Sequence, residues 1–346
     1  MSFRVLLVKL SSLGDVVHTY PALSDVKRAR PDVEIDWLVE EAFIGLAGLH
    51  PAVRKVIPAH LRAMKKKSLK DKFTYARALR QALKGKYDLV IDAQGLIKSA
   101  VVSRLAGAPV AGYSREHARE PWASVVYRHK FDLSVMQHAV IRTRKLFAAA
   151  LGYELDGLPL DHGLDVKGLA TQGRTELAKL RITSRPAVIL HGSAWPTKTW
   201  DPQRWRAIAR HLDARGIPLI IPAGGPEELE TAITITDGLK HAHVLPPMSL
   251  PGLAGVLAMA RAVAGVDSGL THLAEALGKP GVFLIGPTDP VRTGPLGKSL
   301  KTIVSSHADA PCYNRTCTLT PGGRCCMDAI TEREVLRALD YSLAMT

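Results

Sequence analysis

Two α/β domains, each a parallel sheet doubly wound by helices, are what the sequence predicts. Three observations carry that expectation. Short runs rich in Val, Ile and Leu recur along the whole chain and alternate with longer stretches of helical period. Several of the apolar runs end in tight turns containing Gly or Ser. The 346 residues also exceed what one ordinary core accommodates.

The first half opens with Arg4–Val8, an apolar run that reads as a buried strand. A Ser11-Ser12-Leu13-Gly14 turn follows, and then Val16, Val17, Tyr20, Leu23 and Val26 share one helical face. Asp15 stands at that strand-to-helix joint, where open α/β sheets bind ligands. It reads either as a helix cap at the positive end of the dipole or as a site carboxylate. The turn has neither a G-x-G-x-x-G fingerprint nor a Walker lysine, which argues against a dinucleotide-dependent dehydrogenase or an NTP loop. Val33–Val39 alternates as a second strand, Glu40–Phe43 starts a short helix, and Val53–Pro58 is a third strand. Arg62–Lys70, the densest basic run, reads as a solvated loop or as an anion-binding one on the Asp15 rim. Helix 73–83, strand 87–92 ending in Ala93-Gln94-Gly95, helix 98–105, strand 111–113, a basic loop from Ala118 and helix 138–151 complete the half.

Around Glu154 to Lys179 the pattern loosens and reads as a linker. The alternation then restarts with strand 186–190, helix 205–214, strand 218–222, helix 227–239, strand 243–245, helix 250–259, strand 262–266, helix 269–277 and strand 281–285. A last helix runs from Thr331 to Met345. The expected division is 1–165, 180–325 and a terminal helix 330–346.

Composition narrows the function. With 47% hydrophobic and 23% charged residues the chain is globular, and no apolar run is long enough to span a membrane. No signal-peptide pattern precedes the first strand, so a cytoplasmic protein is expected. The net charge of +14 suits an anionic partner. Aromatic residues make only 5%, too few to interleave with the basic ones as single-strand stacking requires, so nucleic acid is not expected. Phosphate-bearing small molecules or lipid head groups fit better.

Three turns in the second half could hold a phosphorylated ligand. His191–Trp200 is a long strand-end loop carrying Lys198, which reads as an exposed lysine or as a point charge for a diphosphate. In Pro222–Glu228, Glu228 suits either a first helical turn or ribose hydroxyls. Asp267-Ser268-Gly269-Leu270-Thr271-His272 joins a strand to a helix whose first N–H groups form an anion site, with Thr271 and His272 facing the anion or merely solvent. The four cysteines, Cys312, Cys317, Cys325 and Cys326, have the spacing C-x4-C-x7-C-C. This matches no C-x2-C zinc pair, so reduced thiols or a local disulfide are expected rather than a metal.

Taken together, Arg4–Leu23 and Asp267–Ala276 resemble the signature stretches of the ADP-heptose:lipopolysaccharide heptosyltransferases. Trp37–Glu41, Ile91–Ser99, Ala118–Pro121, Gln137–Val140 and Gly286–Pro290 are similar to the heptosyltransferase I branch, whereas the cysteine-bearing tail resembles heptosyltransferase II. The resemblance implies a GT-B fold, two Rossmann-like domains facing across a cleft, with no metal and no cofactor. It implies an inverting enzyme that moves heptose from ADP-heptose to Kdo of lipid A, on the cytoplasmic face of the inner membrane as a peripheral protein. Asp15 would be the general base and Lys198 would neutralise the departing diphosphate. Ser193, Ala194, Lys198, Glu228, Asp267, Ser268, Gly269, Thr271 and His272 would bind the donor. Ser12, Gly14, Arg62, Lys65, Lys66, Gln94, Arg119 and His138 would bind the acceptor. The basic segments Arg62–Lys70 and Arg115–Arg128 would face the anionic leaflet. A non-catalytic nucleotide-sugar-binding protein on the same fold is the reading from another class.

Overall fold

A computed structural model describes residues 2–320 and 323–346. The chain divides between Leu164 and Asp165 into two compact units. The first holds β1 (Phe3–Val8), β2 (Val33–Glu40), β3 (Val53–Ala59), β4 (Leu89–Asp92), β5 (Val110–Tyr113) and β6 (His129–Phe131). All pair in parallel, in the order β3-β2-β1-β4-β5-β6. The second holds β7 (Ala187–Leu190), β8 (Leu219–Pro222), β9 (Ala242–Leu245), β10 (Ala262–Val266), β11 (Gly281–Ile285) and β12 (Leu300–Val304). These are also parallel, in the order β12-β11-β10-β7-β8-β9, which is the first unit's topology repeated.

Strand order reverses between β1 and β4 and again between β7 and β10. At such a switch point the flanking helices diverge to opposite faces and leave a crevice beyond the strands' carboxyl ends. The residues past Val8 and Asp92, aligned in register, and those past Leu190 and Val266 therefore occupy the ligand-binding edge of each sheet.

Several elements differ from the sequence expectation. The first helix is two, Leu13–Val17 and Tyr20–Ala29, because Pro21 suits only a first turn and restarts the helix. The basic run is not a loop throughout: Leu61–Met64 forms one helical turn, and Ser68 caps a helix that runs to Leu83. The edge strands β6 and β12 escape the period argument because they are short and half polar.

The segment expected to be a linker contains the helix Val166–Lys179. Gly168 and Gly173 weaken its local helical signal. Tertiary packing needs the second of them, since a Cβ on Gly173 would collide with the Gly255 carbonyl of the helix Leu250–Met259. The terminal helix Glu332–Ala344 is part of the second unit, where Val335, Leu339 and Leu343 pack with Trp205, Leu212 and Val282.

Candidate active site

In the first unit, Asp15 is the centre of a charged cluster. Ser12, not Asp15, is the N-cap of the short helix; Asp15 is its third residue and accepts from the Ser12 N–H at 2.9 Å and the Ser12 hydroxyl at 3.2 Å. Its other oxygen lies 3.2 Å from Lys9 Nζ and 3.3 Å from an Arg119 guanidinium nitrogen. Burial would push the carboxyl up, but Lys9, Arg119 and the Ser12 N–H outweigh it and hold Asp15 well below the usual carboxylate range. Burial in turn lowers the Lys9 ammonium, against the pull of Asp15. About 15% of the Asp15 side chain stays open, so a substrate can reach it.

The end of β4 fixes this geometry. Gln94 Oε1 accepts the Leu10 and Ser11 N–H groups at 3.0 and 3.2 Å, and Lys9 Nζ donates to the Ala93 carbonyl at 3.0 Å. The buried Asp92 carboxyl accepts from the N–H groups of Gln94 and Gly95, from Ser99 and from Tyr127. Gly95, at φ +70°, gives the turn its shape, and its carbonyl takes the Glu120 N–H, which ties the Arg119 loop to the strand end. The side-chain oxygen of Gln94 is thus committed to backbone.

The remaining acceptor candidates are distributed more widely. Gly14 lies in the same short helix, where its carbonyl accepts from His18. His138 caps the helix Ala139–Leu151 through Nδ1, its ring 6.1 Å from that of His18. Arg62 is exposed, stacks its guanidinium 5.4 Å over Phe43 and meets Glu40 through its backbone N–H. Lys65 and Lys66 are exposed beyond that turn. Sequence reasoning gave no role to Lys9, or to Arg142, whose charge acts on Lys9. A lysine one residue past a buried strand was the available signal for the first. Arg142, 3.7 Å over the Tyr113 ring, had none, since it arrives on a distant helix.

In the second unit, Asp267 follows β10 and gathers Lys198, His272 and Ser193. One oxygen accepts from Lys198 Nζ at 2.6 Å and from the Thr288 hydroxyl at 2.5 Å; the other faces His272 Nε2 at 3.3 Å. Burial opposes ionisation, but His272 and Lys198 prevail and keep the carboxylate well below its usual range. Thr271 is fully buried and donates to the Val266 carbonyl at 2.6 Å, in a space that Gly265 leaves open. The side chains of Thr271 and His272 thus face inward. What the helix Gly269–Ala276 offers an anion is its first N–H groups beyond Ser268, together with Lys198.

Ser193 donates to the Asp267 carbonyl at 3.2 Å, and Ala194 is exposed beside it. The Trp195 ring carries Lys198 Nζ at 4.7 Å and the Arg315 guanidinium at 4.9 Å, the second of these unforeseen from sequence. Glu228 accepts the Gly224 N–H at 2.7 Å, and its backbone carbonyl meets His191 Nε2 at 3.0 Å.

Comparison with known proteins agrees with both halves. The family model for glycosyltransferase family 9 (heptosyltransferase) matches residues 76–322. The chain belongs to that family. It is similar to lipopolysaccharide heptosyltransferase 1 of Pseudomonas aeruginosa, 47% identical over 323 residues that cover 92% of this chain and 88% of that one. The protein of the same name from Escherichia coli K12 is 42% identical over 305 residues, covering 86% and 92%. The structure of E. coli heptosyltransferase WaaC with ADP superposes with a TM-score of 0.85 at 38% identity, covering 98% of this chain and all of the other. The chain is therefore a glycosyltransferase of the GT-B fold, and the heptosyltransferase I reading is favoured over the alternatives.

Proposed function

We propose that this enzyme transfers L-glycero-D-manno-heptose from ADP-heptose to Kdo of lipid A, inverting the anomeric centre in a single displacement. The observation that carries the reading is Asp15, a reachable carboxylate kept ionised by Lys9 and Arg119 at the first sheet's switch point. Asp15 accepts the hydrogen bond of the attacking Kdo hydroxyl and orients it. A carboxylate held this low is a weak base toward a neutral alcohol, so the proton moves late, once C–O bond formation has made the oxygen acidic. Arg119 is placed to pair with an acceptor carboxylate.

The second domain takes the donor. The diphosphate competes with Asp267 for Lys198, and the N–H groups that open the helix Gly269–Ala276 add stabilisation as charge builds on the leaving oxygen. Glu228 and its Gly224 turn suit the ribose hydroxyls. Membrane contact is peripheral. Leu69 and Phe73, four apart and 84% and 73% exposed, share a face of a helix flanked by Lys65–Lys67, Lys70 and Lys72. Among the described residues no helix is long and apolar enough to cross a membrane.

The test is incubation with ADP-heptose and either a Kdo-only or a heptose-Kdo acceptor, read by ADP release and product mass. One heptose added to the Kdo-only acceptor is expected. Addition only to the heptose-bearing acceptor points to the second transfer, and no ADP release to a binding protein.

A further inference from the structure

The roles assigned above leave the four cysteines unused. They are free thiols, and the fold gathers them at the end of β11. Cys317 Sγ lies 3.4 Å from Cys325 Sγ, and Cys326 Sγ lies 4.0 Å from Cys312 Sγ. A fifth donor joins them that cysteine spacing alone does not show. A ring nitrogen of His307 and the sulfurs of Cys325 and Cys326 all lie within 4.8 Å of one another. His307 is itself oriented by Asp309, whose N–H lies 3.2 Å and whose carboxylate lies 3.5 Å from Nδ1.

Around a tetrahedral zinc with Zn–S bonds of about 2.3 Å, neighbouring donors stand about 3.8 Å apart. Cys317 stands 3.4 Å from Cys325 and Cys312 4.0 Å from Cys326, so either would give one edge close to that length. Cys325 and Cys326 are adjacent, yet both serve because they open a one-turn helix, Cys325–Asp328. Gly286 leaves room for the Met327 side chain beside Cys326: a Cβ there would stand 2.5 Å from Met327 Sδ and 3.3 Å from Cys326 Cβ.

We propose that this cluster binds a thiolate-preferring divalent metal ion, zinc foremost, through His307, Cys325 and Cys326, with Cys312 or Cys317 as fourth donor. Thiolate and imidazole donors select zinc over magnesium or calcium. Each ligating thiol releases its proton to solvent as the metal enters. The ion is a staple with a consequence for the donor loop. Tyr313 N–H donates to the Pro287 carbonyl at 2.8 Å, the Thr197 hydroxyl to the Asn314 carbonyl at 2.7 Å, and Arg324 to Asp201 at 3.2 Å. Tying His307 to Cys325 and Cys326 therefore also fixes Thr197, next to Lys198, through Asn314. A cavity of about 190 Å³, lined by Thr197, Pro287, Arg324 and four thiols, adjoins the cluster.

The full-length chain, purified in reductant without chelator, is analysed for metals by mass spectrometry; the apo chain is then titrated with cobalt(II). Close to one equivalent of zinc per chain is expected, with tetrahedral cobalt absorption and a thiolate-to-cobalt charge-transfer band. His307→Ala and Cys326→Ser should lose the metal, as should one of Cys312→Ser and Cys317→Ser, with folding checked by circular dichroism. The cobalt titration of the unaltered chain needs no variant. Reaction with a thiol reagent should be slow until a chelator is added. A reduced chain that takes up neither zinc nor cobalt through thiolates overturns the proposal. So does retention of metal by both Cys312→Ser and Cys317→Ser. Disulfides mapped between Cys317 and Cys325 and between Cys312 and Cys326 in the freshly isolated chain also overturn it.

Discussion

Asp15 shares its charge with two cations of different accessibility: Lys9 is buried, whereas Arg119 is half exposed. Asp15→Asn keeps the shape but cannot accept the proton, so transfer should fall by about 10²–10⁴-fold, the range typical of a lost general base. ADP affinity, measured by calorimetry, should not change. Lys9→Met removes the cation that most lowers the Asp15 pKa. The acid limb of kcat/KM against pH should therefore move to higher pH in that variant. Asp267 contributes to stability through its contacts with Lys198, Thr288 and His272. Its folded pKa lies below the unfolded value of about 3.9, so its contribution is present above that pH and disappears as pH falls through the folded value. Asp267→Asn leaves Lys198 unpaired, and breaking a buried pair costs about 3 kcal/mol or more. Urea unfolding should show that loss at pH 7 and a much smaller difference in strong acid.

Among the elements, the crossing of helices Val166–Lys179 and Leu250–Met259 has the least tolerance. A Cβ on Gly255 would stand 2.9 Å from Gly173 N and 3.0 Å from the Leu169 carbonyl, so the two backbones touch without side chains between them. Gly173→Ala gains helix propensity of up to about 1 kcal/mol but must separate the helices. Overpacking of this kind costs about 1–3 kcal/mol, and because backbone cannot yield as a side chain does, net destabilisation is expected in thermal unfolding. The Lys198 loop should be little affected, since its Ser193, Thr197, Lys198 and Thr199 side chains donate to Asp267, Asn314 and Pro196 and not to that crossing.

For the whole molecule the dominant quantity is the +14 net charge. In the proposed peripheral contact this charge acts on anionic lipid over roughly one Debye length, about 8 Å at physiological ionic strength, so binding to anionic vesicles should weaken steeply with salt. Reversing Lys65, Lys66 and Lys70 to Glu should reduce vesicle binding in sedimentation. Leu69→Ser with Phe73→Ser should do the same while leaving transfer to a delipidated acceptor intact. Unchanged vesicle binding in both variants would place the membrane-facing surface elsewhere on the chain.

The order of apolar runs and turns by itself determined the α/β class and most strands, because buried parallel strands and amphipathic helices leave different periods in the chain. It also put Asp15, Gln94, Lys198 and Asp267 at strand ends, the edge of an open α/β sheet where ligands bind. Period cannot report which strands lie side by side. That choice brings Ala93 to Lys9 across 84 residues, Arg119 to Asp15 across 104 and Lys198 to Asp267 across 69. The same blindness hid the glycine-rich helix before β7, whose formation rests on a neighbouring helix, and kept His307 apart from the cysteines. Which carboxylates are ionised, and which polar groups are already committed to backbone, follows from long-range burial and charge pairing, and these exist only once the sheets have formed.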